Sequence, residues 1–114
     1  MKEVDIEDKL CSFIREFGDD LTSLELLLFF SRHPHARFNR PAVFHALTAK
    51  QFDVGIALKR LVDRKLVVTC CEHGMTLYAL TKDEPAHSLA TQLANIDQHQ
   101  WQTIIEHILD AQGI

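Results

Sequence analysis

The chain has 114 residues, 46% of them apolar and 25% charged, with a formal net charge of −4 at pH 7. That length suits one domain (1–114) with a modest core, and the composition is that of an ordinary globular protein. No apolar run approaches the roughly 18 residues of a membrane span, the acidic opening MKEVDIEDK lacks a secretory h-region, and three cysteines without paired spacing argue for a reducing cytosol, so a cytoplasmic, membrane-free protein is expected.

Residues 3–17 are predicted to form an N-terminal helix whose apolar stripe, Leu10, Phe13, Ile14 and Phe17, ends at Gly18. A second helix over 22–33 follows a break at Asp19-Asp20. Asp20 and Thr22 are both suitable caps, and Thr22 with Glu25 fits a reciprocal capping box. Leu24, Leu26, Leu27, Leu28, Phe29 and Phe30 leave that helix little polar surface, so it is expected at the centre of the core, with Pro34 ending it. His35-Ala36-Arg37-Phe38-Asn39 is extended, either a third strand or a loop. Asn39 then caps a short helix with Pro41 just inside its start.

Next comes the most patterned stretch, Phe52 to Thr81. Asp53 is the expected N-cap of a helix that buries Val54, Ala57, Leu58, Leu61 and Val62, with Lys59, Arg60, Asp63, Arg64 and Lys65 on the other face. The period then changes. Leu66–Cys71 and Met75–Thr81 read as two strands joined at Glu72-His73-Gly74, a tight turn with a glycine for positive φ. After Asp83-Glu84-Pro85, residues 86–111 read as a long helix with an interruption near Asn95 to Asp97. Its stripe includes Leu89, Leu93, Trp101, Ile104, Ile105 and Ile108. At 1.5 Å per residue it extends roughly 35–40 Å, more than a small domain can cover, so these residues are expected to pair two copies as a homodimer.

Charge is uneven. Counting Lys and Arg against Asp and Glu, residues 1–20 carry −4, 21–49 carry +2, 50–82 carry +3 and 83–114 carry −5. A cationic centre between acidic ends favours a polyanion at the centre.

The order helix, helix, extended piece, helix, turn, helix, hairpin over residues 20–82 resembles a winged helix-turn-helix domain. The specific part is ALKRLVDRKLVVTCCEHGMTLYALT. Leu58, Leu61, Val62, Leu66, Val67, Tyr78, Leu80 and Thr81 occupy positions that resemble the end of the recognition helix and the wing of MarR-like bacterial transcription regulators. The resemblance implies a mainly α fold with a small β-hairpin wing (α+β), extra N- and C-terminal helices, and dimerisation through the flanking helices. It also implies transcriptional regulation through double-stranded DNA, with Arg37, Arg40, Lys50, Gln51, Lys59, Arg60, Arg64 and His73 as the DNA-contacting set and an effector left unspecified. Gln51 can read adenine. Departures from the family pattern are Asp53 and Gly55 in the helix start, no Arg or Lys at the wing tip, and Lys65 where the family has glycine, so that turn is expected to be reshaped. Winged helices also serve as protein-interaction modules, and an apolar face at Phe52 and Ile56 would suit that alternative.

Nothing points to catalysis: there is no Gly-rich phosphate loop, no His-Glu-x-x-His run and no Ser-centred elbow. Cys70 and Cys71, adjacent on a strand, face opposite sides and cannot easily share a metal. Cys71 and His73 can share a face but lack further ligands, and His99 and His107 are too far apart on their helix to chelate together. No metal and no cofactor are expected.

Overall fold

The computed structural model describes residues 2–18, 20–97, 99, 100, 102, 103 and 106. At its centre lies α2 (Leu21–Arg32), whose Leu24, Leu26, Leu27 and Phe30 are at most 2% exposed. Full burial of a side chain of this size contributes roughly 1.5–3 kcal/mol, so these four residues make α2 the axis of the fold. Around it are α1 (Lys2–Phe17), α3 (Arg40–Ala46), α4 (Gln51–Asp63) and α5 (Ala86–Ala94). Leu10, Phe13, Ile14, Val43, Val54, Leu58, Leu61, Leu80, Ala90 and Leu93 complete one continuous cluster.

The sheet has three antiparallel strands, β1 (Phe38–Asn39), β2 (Val67–Glu72) and β3 (Met75–Leu80), in the order β1-β3-β2. The extended piece is therefore a strand, but a very short one. Its Phe38 stacks on Phe29 and Phe30 of α2, with ring centroids 4.7 and 6.2 Å apart. Its second residue, Asn39, already caps α3 by accepting from the Ala42 N–H at 2.9 Å. In the hairpin Val67 pairs with Leu80 and Glu72 with Met75. The turn residues His73 and Gly74 have φ of 51° and 78°, the two positive values a type I′ hairpin requires. Beyond Val67, β2 is exposed along its length, so the hairpin projects from the core as a wing. Helices, β1 and wing follow one another as in a winged helix-turn-helix, with α1 and α5 added outside it.

Local signals differ from expectation in three places, and the interruption expected near Asn95 to Asp97 is present. The Thr22–Glu25 capping box does not form. Asp20 caps α2 instead, accepting from the Ser23 N–H at 2.7 Å, and Glu25 turns outward to accept from the Thr48 hydroxyl and N–H at 2.8 and 3.3 Å. A reciprocal box does form at Asp97 and Gln100, each side chain accepting from the other's N–H. It starts a new helical segment, which is why α5 stops at Ala94; residues 99, 100, 102, 103 and 106 are helical again. Asp53 is not the N-cap of α4. The cap position lies three residues earlier, at Lys50, with no side-chain cap bond, which leaves Asp53 in the first turn. Finally, the turn at Lys65 is not reshaped. Lys65 itself takes the left-handed conformation, φ 66°, and the Lys65 and Leu66 N–H groups donate to Val62 and Leu61 carbonyls at 3.0 Å. That is a complete Schellman motif, closed by the buried pair Leu61 and Leu66.

Candidate functional site

The elements above leave one face of α4 uncovered. Val54, Ala57, Leu58 and Leu61 face the core, which turns Phe52, Ile56, Lys59 and Asp63, three or four residues apart, into a single outer stripe. Phe52 is 78% exposed and Ile56 44%, unusual values for side chains of this kind. Gln51 is exposed on the flank nearer α3, and Asp53 on the flank toward α2, where it lines a groove with Asp20, Leu21, Ile56 and Arg60. Leu21, 51% exposed, extends the apolar surface across that groove.

The cations named from the sequence divide into two sets. In the first, each guanidinium is engaged by the protein. Arg60 pairs with Asp20 at 3.2 Å, and Arg64 donates to the Glu16 carbonyl, so both tie α4 to the α1–α2 region. Arg37 pairs with Glu72 of the wing at 2.5 Å. A hydrogen bond to Cys70, followed by the Glu72 charge, holds its pKa above the ordinary value. The sheet register explains the contact. Arg37, Asn39, Cys70 and Glu72 fall on one face of the sheet, with Met75 and Leu77. Cys70 pairs with Leu77 and Cys71 with Thr76, so the two thiols point to opposite faces, as the strand period dictates.

The second set comprises Lys59 within the α4 stripe and Arg40 and Lys50 beside it, all exposed. Arg40 lies over the Phe44 ring, 5.0 Å from its centroid, a cation–π contact. Its guanidinium reaches within 3.1 Å of where a Cβ on residue 55 would stand, so Gly55 leaves room for Arg40 to lie close against α4. From sequence Gly55 is only a departure from the family pattern, because nothing in its neighbours shows that an arginine crosses there. His73 is exposed at the wing tip.

Of the residues expected to pair two copies, Leu93 lies in the chain's own core at 1% exposure, and Leu89 is half-buried. Leu89 lines a groove of about 720 Å³ between α1 and α5, with Phe13, Phe17, Pro85 and Ala86 as its apolar floor and Lys9 and Glu16 at its rim. Trp101, Ile104, Ile105 and Ile108 lie outside the described residues. Among the described residues no group of three or more His, Cys, Asp or Glu side chains is arranged to hold a metal ion, and no helix is long and apolar enough to cross a membrane.

No family model matches the chain, and no curated protein matches it. Among solved structures it is similar to one of Bordetella bronchiseptica BpsR, described for the regulation of that protein's DNA binding by 6-hydroxynicotinic acid. The match is 16% identical, covers 94% of this chain and 88% of that one, and has a TM-score of 0.45.

Proposed function

We propose that this chain is a DNA-binding transcription regulator of the winged-helix type, of MarR-like character, working as a homodimer. The observation that carries the reading is the uncovered outer face of α4, bordered by Arg40, Lys50 and Lys59 and standing beside a projecting wing. In this reading α4 enters the major groove, the wing follows the adjacent backbone, and the three exposed cations neutralise phosphates. Arg37, Arg60 and Arg64 are engaged in contacts within the chain and contribute less charge to the duplex.

The test is a fluorescence anisotropy titration with labelled genomic fragments at low salt. Lys59→Ala is expected to weaken binding about equally on every fragment, because a phosphate contact carries no sequence information. Gln51→Ala is expected to change the ranking of fragments. No binding by the wild-type chain overturns the proposal.

A second reading, a protein-interaction module, is favoured by one observation: Leu21, Phe52 and Ile56 are all exposed on the same side, with Asp53 beside them. Absence of any salt-sensitive DNA binding, with Phe52→Asp abolishing association with a protein partner, is the outcome that reading requires.

A further inference from the structure

The α4 stripe has a chemistry that narrows what it can read. Its two outermost side chains before Lys59 are Phe52 and Ile56, both apolar and both exposed. Beside them Gln51 is exposed, whereas Asp53 lies on the opposite flank with Arg60. In the major groove a glutamine amide matches adenine N6 and N7, and an apolar side chain matches the one apolar group displayed there, the thymine 5-methyl. Guanine is read best by a bidentate Arg or Lys; residues 51–58 carry neither, and Lys59, the next member of the stripe, is assigned to a phosphate. Cations do border the patch: Lys50 precedes it, Lys59 follows it and Arg40 lies alongside. An apolar centre bordered by these cations, with Asp53 on the Arg60 flank and Asp63 beyond Lys59, is complementary to methyl groups set between two phosphate backbones.

On the basis of the DNA-binding reading, we infer that the recognition helix selects A·T pairs, with Phe52 and Ile56 packed on thymine methyl groups and Gln51 bonded to a neighbouring adenine. The specificity then resides mainly in burial of methyls, and removing the methyl alone must weaken it. Covering one methyl group accounts for about a fourfold change in affinity.

The probes are short duplexes of alternating dA-dT, the same duplex with dU for every dT, alternating dG-dC, and the last with 5-methyl-dC for every dC. Binding is read by anisotropy at one fixed low salt concentration. The wild-type chain is expected to prefer dA-dT over dA-dU by at least about fourfold, and to gain affinity for the methylated dG-dC duplex over the plain one. Phe52→Ala is expected to lower both ratios, with Ile56 sustaining the remainder, while still binding all four duplexes. At 78% exposure Phe52 has little part in the core, and an unchanged thermal unfolding curve checks that the variant folds. Equal wild-type affinity for dA-dT and dA-dU, in the presence of clear binding, overturns the inference and leaves the DNA-binding reading standing. Full retention of both ratios by Phe52→Ala overturns the assignment to this side chain. Failure of all four duplexes to bind overturns the DNA-binding reading and this inference with it.

Discussion

Lys65 shows how a single residue can satisfy a fold at a local cost. The C-terminal end of α4 requires a left-handed residue, so that its own N–H and that of Leu66 can reach back to Val62 and Leu61. Glycine meets that demand without strain, whereas a residue with a Cβ is disfavoured there by roughly 1–2 kcal/mol. The flanking pattern Leu61-Val62 and Leu66-Val67 overrides the preference, because both ends of the turn are pinned in the core. Lys65→Gly is therefore expected to stabilise the chain by about 0.5–1 kcal/mol, less than the full penalty because glycine also loosens the unfolded chain. Thermal unfolding checks this: a rise of a few degrees in Tm is the expected result, and a fall shows that the lysine stem makes contacts outweighing its backbone strain. Residue-level signals elsewhere were only partly legible. Asp20, Thr22 and Asp53 all have side chains able to cap, and which one does depends on where the helix is cut by its packing. Glu25 left its local partner because Thr48, distant in sequence, offers two donors. Asn39 was readable because Pro41 fixes the start of α3 beside it.

At the scale of elements, close approach decides more than propensity. Gly18 ends α1, yet among the described glycines only Gly74 has a positive φ. Gly18 is there for space: a Cβ would lie 3.1 Å from Leu24 Cδ1, 3.2 Å from Leu24 Cα and 3.3 Å from the Ile14 carbonyl oxygen. Backbone atoms cannot retreat as a flexible side chain can, so Gly18→Ala has to shift α1 against α2. The expected cost is about 1–3 kcal/mol, the range for overpacking, read as a lower denaturant midpoint with an unchanged m-value. A change under a few tenths would mean that the two helices move apart freely. The helices and hairpin were legible because their hydrophobic periods, 3.6 and then 2, change sharply between Arg64 and Val67. The break after α5 was legible at Asn95 to Asp97, whereas the box at Asp97 and Gln100 was not, because its two side chains show no apolar period.

For the whole molecule, the cationic centre predicted from the sequence is smaller than a residue count implies. Pairing with Glu72 and Asp20, and the bond to the Glu16 carbonyl, engage three of the six Arg and Lys residues named for the duplex. Linear sequence could not reveal this, because each partner is at least 35 residues away. What the sequence did not show either is that Leu93 serves the core of its own chain. The proposed pairing of two copies then rests on Leu89, the α1–α5 groove and the stripe of residues 98–111. Sedimentation equilibrium at micromolar concentration is expected to give a mass near twice 13.1 kDa. A monomer at all concentrations contradicts the homodimer. A dimer doubles the phosphate contacts of Arg40, Lys50 and Lys59, and that sets the salt dependence. Each neutralised phosphate contributes about −0.9 to the slope of log K against log salt, so two copies with three contacts each give a slope of about −5. The direct measurement is anisotropy of a labelled duplex titrated with the protein from about 50 to about 200 mM salt. The account predicts tight binding at the low end that falls roughly a thousandfold across the range; no binding at the low end, or an affinity indifferent to salt, contradicts it.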